Sequence, residues 1–319
     1  MLRAPLSEIE IRRAIGLPET GNRVVDGLAP LGAVEDRCLY FINKTMTGAI
    51  RDSLTMRRDC IVIAPIGSLG IGELADCTVL EVADPRVAIA NVLRFITAQR
   101  RQEPWVRERK VDPSAVISPL AVVDEKVEIG AATIIEPFCV VEADVSIGCG
   151  SILRSGVRVH SRVAIGDDSI VGANTVVGHQ GFGFVRDELG HKTRILHLGG
   201  VVIGSHVEIG ALVTVPGGTI GPTIIEDRVK IDDHVHVGHN ARVAKGASLT
   251  AAVVLAGSAL IEEEAWIGIN SSIRDGRRVG YRAFVGMDVS VQQDLADNSV
   301  ARAPRPDIKV RSDDTVAPQ

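Results

Sequence analysis

The chain has 319 residues, a formal net charge of −5 and a hydrophobic content of 45%, which is enough apolar material for a sizeable buried core. Aromatic residues make up only 3% of the chain, and this scarcity, together with the negative charge, argues against a nucleic-acid partner. The sequence has no CxxC pair, no signal peptide and no apolar run long enough to span a membrane, so we expect a cytoplasmic protein with neither disulfides nor a thiolate metal site.

Residues 1–105 alternate strand-like and helical segments. Two aliphatic and β-branched runs, 60–64 and 78–82, predict strands. After Asp84-Pro85 the apolar residues recur at helical spacing, which predicts a helix that begins there. We therefore predict a small α/β domain over residues 1–105 and a linker over residues 106–113, with Trp105 packed between the domains.

From Ile117 onward an aliphatic residue recurs at every sixth position as far as Val177, and the same period continues from Ile203 to Val215 and, after a slip of four residues, from Ile225 to Val291. A helix needs a period of 3.6 and a two-layer sheet a period of two, so neither explains this pattern. A six-residue period predicts a parallel β-helix over residues 114–293, in which three hexads form one triangular coil. Glycine often follows the aliphatic residue, and we expect it to take strained backbone angles at the corners.

A loop over residues 178–202 interrupts the period. It begins with Gly178-His179-Gln180 and continues with Phe182 and Phe184, each of which follows a glycine. Because loops on rigid scaffolds often carry binding residues, we expect Phe182 and Phe184 to contact a ligand. Residues 294–319 follow the last repeat and are predicted to form a short C-terminal tail.

The segment 232–240 concentrates acids and histidines within one and a half hexads, with the sequence Asp-Asp-His-Val-His-Val-Gly-His-Asn. A coil of three hexads places Gly257 next to His239, and the following coil places Asp275 in the same column. A neutral imidazole beside a glycine can act as a base in an open groove, and the glycine N–H can bind an oxyanion. We expect Asp232 or Asp233 to orient the imidazole.

Two other interpretations of this segment remain open at this stage. His239 can be a polar residue of the outer wall without a chemical role. The spacing of His234, His236 and His239 can also supply ligands to a metal, as in the trimeric β-helix carbonic anhydrases of the gamma class.

The aliphatic-Gly hexads resemble those of the hexapeptide-repeat acyltransferases, whose β-helices are left-handed and whose members are usually homotrimers. The whole chain resembles one family of this group, the UDP-3-O-acylglucosamine N-acyltransferases of lipid A biosynthesis. Four stretches carry the resemblance: 25–43, 181–184, 201–210 and 232–240.

This resemblance implies a role for several residues. Tyr40 and Asn43 would hold the uracil base, His239 would be the general base, Asn240 would lie beside it at the sugar, and Gly257 would donate to the oxyanion. The implied reaction transfers a hydroxyacyl chain from acyl carrier protein to the amine of a UDP-linked glucosamine, without a bound cofactor. An alternative within the class acylates another nucleotide-linked amino sugar of surface polysaccharide, with acetyl- or acyl-coenzyme A as the donor.

The chain departs from the family pattern at four places. Pro216-Gly217-Gly218 replaces Asp-Arg-Gly, Gln180 replaces an acidic residue, and Met46 stands where a second aromatic residue is expected at the uracil. A second histidine expected near Gly276 is missing.

Overall fold

The computed structural model describes residues 2–31, 33, 35–42, 48–68, 74, 76–99, 103–106, 108–186 and 189–304. Its N-terminal part is a five-stranded sheet with three helices. The strands are β1 (Leu2–Ser7), β2 (Val24–Leu28), β3 (Cys38–Phe41), β4 (Cys60–Pro65) and β5 (Cys77–Val82), and the helices are α1 (Glu8–Ala14), α2 (Gly48–Thr55) and α3 (Pro85–Ala98). The sheet order is β1-β2-β3-β4-β5; β1 runs antiparallel to β2 and the other neighbours are parallel.

Helix α3 begins where the sequence predicts it. The Asp84 carboxylate caps the helix by accepting hydrogen bonds from the backbone N–H groups of Arg86 at 2.8 Å and Val87 at 3.3 Å. Pro85 occupies the first turn, where its missing N–H costs nothing. The buried face of the helix packs on the sheet through Ile89, Val92, Leu93 and Ile96.

Residues 110–301 form a parallel β-helix, which confirms the interpretation of the six-residue period. Ile135 pairs with Ile117 in the preceding coil and with Leu153 in the following one, each three hexads away. One coil therefore contains three hexads, and each hexad contributes a short strand to one of three faces. Neighbouring coils stack at the usual strand spacing of about 4.8 Å.

Each face is a separate parallel sheet. Face one has ten strands: Val116–Ile117, Ile134–Ile135, Ile152–Leu153, Ile170–Val171, Glu208–Ile209, Lys230–Ile231, Ser248–Leu249, Trp266–Ile267, Phe284–Val285 and Val300–Ala301. Face two has nine strands: Val122–Val123, Val140–Val141, Arg158–Val159, Val176–Val177, Thr214–Val215, His236–Val237, Val254–Leu255, Ser272–Ile273 and Ser290–Val291. Face three has nine strands: Lys110–Val111, Val127–Ile129, Val145–Ile147, Val163–Ile165, Val201–Ile203, Thr223–Ile225, Arg242–Val243, Leu260–Ile261 and Arg278–Val279.

The aliphatic residue of each hexad points into the prism, and Ile135, Val171 and Leu249 are each 1% exposed. Small hydroxyl residues two positions earlier are buried as well and donate to backbone carbonyls of the next coil. Thr133 Oγ1, for example, donates to the Gly148 carbonyl at 2.6 Å. Such bonds satisfy polar groups that would otherwise be costly to bury.

With the exception of Gly178 (φ 89°), the glycines after the aliphatic residues do not take the strained backbone angles that we expect from the sequence. A Cβ on Gly148 would lie 2.6 Å from the carbonyl carbon of Gly166 in the next coil, so glycine is needed there for close stacking. The left-handed backbone falls two positions later, for example at Asp168 (φ 50°) and Asn174 (φ 58°). Asn and Asp tolerate this region better than most residues, which explains their presence at the corners.

Two insertions interrupt the coils and pair with each other. In a regular coil, Ile165 would pair with the residue three hexads later, Gly183. It pairs with Ile203 instead, so the long loop adds twenty residues to this coil. The loop contains a hairpin of strands Phe184–Arg186 and Lys192–Arg194. Thr214 likewise pairs with His236 rather than with position 232, which gives a second insertion of four residues. The N–H of Leu198 in the loop donates to the carbonyl of Thr219 in the second insertion at 3.0 Å.

The long loop also joins the N-terminal domain to the β-helix. Val185, Ile195 and Leu198 share one hydrophobic cluster with Ile89 and Leu93 of α3. The rigid placement of this loop therefore depends on both domains.

Trp105, which we expect to pack between the domains, contacts the coils. Its ring centroid is 5.1 Å from the Arg162 guanidinium, and the next residue, Val106, donates its N–H to Asp144 at 2.7 Å.

The observed ends of the β-helix differ from the sequence-based bounds. Lys110–Val111 pairs with 128–129, so the first coil begins within the predicted linker. Val300–Ala301 pairs with Phe284–Val285, which extends the coils beyond residue 293, and residues 305–319 of the predicted tail lie outside the described residues. Within the described parts of the chain, no helix has the length and apolar character needed to cross a membrane.

Candidate active site

The three histidines of the 232–240 segment point in different directions. His234 occupies a corner in the left-handed conformation and is exposed. His236 faces outward on face two, where its Nδ1 lies 2.7 Å from Thr214 Oγ1. His239 lies at the next corner, between faces two and three, where both insertions approach the coils. Of the three, His239 is the one that directly contacts a glycine of the long loop.

Asn240 fixes the tautomer of His239. The His239 Nδ1 atom lies 3.0 Å from Asn240 Oδ1. The same oxygen accepts from the Thr219 N–H at 3.2 Å and from the Thr219 hydroxyl at 2.8 Å. A backbone N–H can only donate, so the atom that faces Thr219 must be the amide oxygen. Because this oxygen can only accept, Nδ1 of His239 carries the proton and Nε2 keeps a free lone pair.

The free Nε2 atom faces Gly257 in the next coil. A Cβ on Gly257 would lie 2.7 Å from both Nε2 and Cε1 of His239 and 2.9 Å from Asp275 Oδ1. Glycine thus leaves a gap that any other residue would fill. Within the described residues, the Gly257 N–H donates to no acceptor, whereas the next N–H, of Ser258, donates to the His239 carbonyl at 2.8 Å. The gap therefore joins a basic nitrogen to an available backbone donor.

The long loop covers the other side of the imidazole. A Cβ on Gly181 would lie 2.9 Å from His239 Cβ and 2.8 Å from His197 Nε2, and a Cβ on Gly183 would lie 2.9 Å from His197 Cε1. Arg194 holds this turn by donating from Nη1 to the Gly181 carbonyl at 3.0 Å. The two glycines allow the loop backbone to lie directly on the histidines.

His197 is a second imidazole of the site, and the sequence pattern does not predict it. Its ring packs edge-to-face against His239, with centroids 4.8 Å apart and an interplanar angle of 61°. Gln180 holds its backbone on both sides: Oε1 accepts from the His197 N–H at 2.9 Å and Nε2 donates to the His197 carbonyl at 3.0 Å. The residue is only 5% exposed, and neither ring nitrogen has a partner among the described residues.

Burial keeps His197 neutral. Loss of hydration and, to a lesser extent, the neighbouring His239 lower the pKa of His197 to about 4, although an interaction with the backbone of Ile195 acts in the opposite direction. Burial also lowers the pKa of His179 and of His236. A neutral His197 does not oppose a positive charge that forms on His239.

The low pKa of His197 predicts a loss of stability in mild acid. The folded state binds the proton less readily than the unfolded chain, so this contribution is complete above pH 6.5 and is lost as the pH falls toward 4, by roughly 3 kcal/mol in total. We expect His197→Gln to flatten the decline in the free energy of unfolding between pH 6.5 and pH 4, measured by urea denaturation. His206→Asn, at an exposed corner that Asn tolerates, should keep the wild-type slope. A wild-type slope in the His197 variant would contradict the assignment.

Phe182 and Phe184 lie on the same loop, next to the glycines that touch the histidines. Phe182 is 84% exposed and packs edge-to-face on Phe184, with ring centroids 5.1 Å apart. The Arg194 guanidinium lies 4.6 Å from the Phe184 ring centroid. The exposed Phe182 ring is thus presented to solvent close to His239.

Asp232 is not brought to His239. It lies at the corner between faces one and two, whereas His239 lies at the corner between faces two and three. Its Oδ1 accepts from the Asp233 N–H at 2.8 Å, and Asp233 Oδ1 accepts from the Ala211 N–H at 2.7 Å. Asp232 lines a surface cavity of about 620 Å³ that His239 does not line. Within one chain, Asn240 takes the orienting position that the sequence analysis assigns to Asp232 or Asp233.

Tyr40 is a core residue of the N-terminal domain. It is fully buried, its hydroxyl donates to the Glu35 carbonyl at 2.7 Å, and the Arg57 guanidinium covers its ring at 4.5 Å from the centroid. Neither face of the ring is open to a base, which corrects the expectation that Tyr40 holds uracil. Asn43, its expected partner, and Met46 lie outside the described residues.

Within a single chain the three histidines of the segment do not converge on one point, and the metal hypothesis, which places the ion between subunits, remains a prediction. Among the described residues, no group of three or more His, Cys, Asp or Glu side chains converges to hold a metal ion. His234 and His239 occupy different corners, and His236 is engaged with Thr214.

Comparisons with known proteins give relatives in one activity class. No family model matches the chain. The UDP-3-O-acylglucosamine N-acyltransferase of Coxiella burnetii is 37% identical over 186 residues, which is 56% of this chain and 54% of that protein. The UDP-3-O-acylglucosamine N-acyltransferase 2 of Legionella pneumophila strain Paris is 44% identical over 95 residues, 28% of this chain and 27% of that protein. The matches thus span between about a quarter and about half of the length of these relatives.

Solved structures with a similar fold are also acyltransferases. The Francisella novicida UDP-N-acetylglucosamine acyltransferase superposes with a TM-score of 0.54 at 29% identity, over 59% of this chain and 67% of that chain. The Moraxella catarrhalis UDP-N-acetylglucosamine O-acyltransferase gives a TM-score of 0.53 at 26% identity, over 59% and 71%. The fold is therefore the left-handed parallel β-helix of the hexapeptide-repeat acyltransferases, and the chain is related in sequence to the UDP-3-O-acylglucosamine N-acyltransferases.

Proposed function

We propose that this protein is an N-acyltransferase that moves an acyl chain from a thioester to the amine of a UDP-linked glucosamine, as in lipid A biosynthesis. The observation that carries the proposal is the gap at Gly257, which is flanked by His239 Nε2, the ring nitrogen not held by Asn240, and by an N–H without an acceptor among the described residues. Acyl transfer to an amine requires a base at the nucleophile and a donor at the carbonyl oxygen, and the gap supplies both. The named relatives support the same activity class.

In this mechanism His239 Nε2 removes a proton from the acceptor nitrogen while that nitrogen attacks the thioester carbonyl carbon. The Gly257 N–H donates to the oxygen that becomes negative in the tetrahedral intermediate. When the C–S bond breaks, His239 returns the proton to the departing thiolate. Asn240 keeps the imidazole in the tautomer required for the first step, and the neutral His197 leaves the imidazolium unopposed.

The remaining assignments follow from the resemblance and the exposure of the residues. Phe182 and Phe184 would contact the substrate beside His239, and Asn43 would contact the uracil. We further propose a homotrimer with the site between subunits, and acyl carrier protein as the donor. No cofactor is required beyond the thioester donor itself.

The proposal predicts a long-chain amide product. Purified protein should be incubated with UDP-linked 3-O-acylglucosamine and hydroxyacyl-acyl carrier protein, and the products analysed by mass spectrometry. Parallel reactions with acetyl-coenzyme A and with UDP-linked 3-amino and 4-amino sugars identify the donor and the acceptor. A hydroxyacyl amide on the 3-O-acylated sugar supports the lipid A assignment. An amide formed from another donor and acceptor pair would instead assign the enzyme to surface polysaccharide. If no pair gives a product, acyl transfer is refuted.

A further inference from the structure

We propose that Asp275 selects the acceptor: its carboxylate binds the acceptor nitrogen as an ammonium, across the Gly257 gap from His239. This inference rests on the proposed function and specifies why the site would take an amine rather than a hydroxyl group.

The Asp275 carboxylate and the His239 imidazole border the same gap. The Cβ position of Gly257 is 2.7 Å from His239 Nε2 and 2.9 Å from Asp275 Oδ1, so these two atoms lie no further apart than the sum of the two distances. One nitrogen atom can form hydrogen bonds of about 2.8 Å to two groups that lie within such a separation, provided that it lies further out from the Gly257 Cα than the Cβ position itself. The two side chains are therefore close enough to share one nitrogen of a substrate bound on the open side of Gly257.

The stacking of the coils fixes this arrangement. The Ser258 N–H donates to the His239 carbonyl at 2.8 Å, and the Gly276 N–H donates to the Gly257 carbonyl at 2.9 Å. His239, Gly257 and Asp275 therefore occupy one column, on three successive coils. The column depends on backbone bonds, so a side-chain change at Asp275 should leave it intact.

The carboxylate of Asp275 is available to a substrate. Asp275 is exposed, and none of its contacts within the described residues is a hydrogen bond or an ion pair. Two of the three arginines on the same turn pair elsewhere: Arg277 with Asp294 at 3.5 Å, and Arg278 with Glu262 at 2.8 Å and with Asp297. The third, Arg274, is exposed and forms no ion pair with Asp275. A cationic ligand would therefore meet a carboxylate that is not paired with an arginine of this turn.

The proposed binding mode is consistent with the proton balance of the reaction. An ammonium acceptor loses two protons when it becomes an amide. The first passes through His239 to solvent before the attack, and this frees the lone pair of the nitrogen. The second leaves the nitrogen as it attacks the thioester carbon and passes through His239 to the departing thiolate. Amide, thiol and one released proton are the products, and Asp275 remains ionised throughout.

The test is Asp275→Asn, which removes the charge and keeps the shape. A hydrogen bond to a charged group contributes about 1.5–3 kcal/mol, and the lower end suits an exposed carboxylate, so we expect kcat/KM for the amine acceptor to fall about tenfold. Most of the loss should be in KM, and it should be larger below the pKa of the acceptor amine, where the ammonium form predominates. Affinity for an N-acetylated analogue, which carries no charge, should change less than about twofold.

Glu263→Gln is the matched control, because Glu263 is also an exposed corner carboxylate but lies at the edge between faces three and one. It should keep wild-type kcat/KM, and both variants should keep the wild-type melting temperature. Suppose that the wild-type enzyme is active. If Asp275→Asn then leaves kcat/KM unchanged, or if Glu263→Gln lowers it equally, the role of Asp275 is overturned but the proposed function is not. Inactivity of the wild-type protein with every donor and acceptor would instead refute the proposed function on which this role rests.

Discussion

Replacing His239 by alanine should lower kcat of the proposed acyl transfer by a factor of roughly 10² to 10⁴, the usual contribution of a positioned general base. The imidazole is held by Asn240 in the tautomer that leaves Nε2 free, and Nε2 borders the Gly257 gap directly. KM for the sugar should change less than kcat, because the base acts mainly in the transition state. Steady-state kinetics with the best donor and acceptor pair measures both parameters.

His234→Asn is the matched control for this variant. His234 belongs to the same segment but is exposed at another corner, in a left-handed conformation that asparagine tolerates. It should retain wild-type turnover. If His239→Ala keeps more than about a tenth of the activity, the base lies elsewhere, and an equal loss in His234→Asn would favour a metal site that uses both histidines.

The regular part of the site follows from the sequence because the β-helix has a constant period. One buried aliphatic residue in each hexad sets the register, and three hexads per coil then place Gly257 beside His239 and Asp275 beyond it. The resemblance to known acyltransferases adds the chemical roles, which the period alone does not supply.

The irregular part of the site does not follow in the same way. His197 packs on His239, and Thr219 bonds to Asn240, through the two insertions. The paths of these insertions depend on their pairing with each other and on contacts with α3. The four-residue slip in the period was the available indication of the second insertion, but it does not show that Thr219 would fix the amide of Asn240. No feature of the sequence around His197 distinguishes it from the other scattered histidines.

Tyr40 shows a different limit of prediction from the sequence. A tyrosine in a strand of an α/β domain can face a ligand or the core, and the alternation of a short buried strand does not decide between them. The backbone carbonyl of Glu35 and the guanidinium of Arg57 complete a polar environment around Tyr40 inside the domain. Both lie outside its strand, so the pattern of the strand itself does not reveal them.

Replacing Gly257 by alanine should reduce kcat/KM by a factor of about 10² or more while the fold is retained. The new methyl group would lie 2.7 Å from the His239 ring and 2.9 Å from Asp275 Oδ1, so it must displace the imidazole or occupy the place of the acceptor nitrogen. Loss of a single oxyanion donor costs about 10² to 10³ in kcat, and a misplaced base has a comparable effect. Circular dichroism and thermal melting should remain close to wild type, because the methyl group enters a surface gap.

Gly217→Ala provides the comparison at the same edge of the prism, in the insertion that precedes His239. Its Cβ would lie 3.6 Å from the nearest atoms, an ordinary contact, and its backbone is not in the left-handed region. We expect this variant to keep turnover within about twofold of wild type. Equal activity of the Gly257 and Gly217 variants would show that the gap is not where the acceptor nitrogen meets His239, whereas a loss confined to Gly257→Ala places the reacting atoms at that glycine.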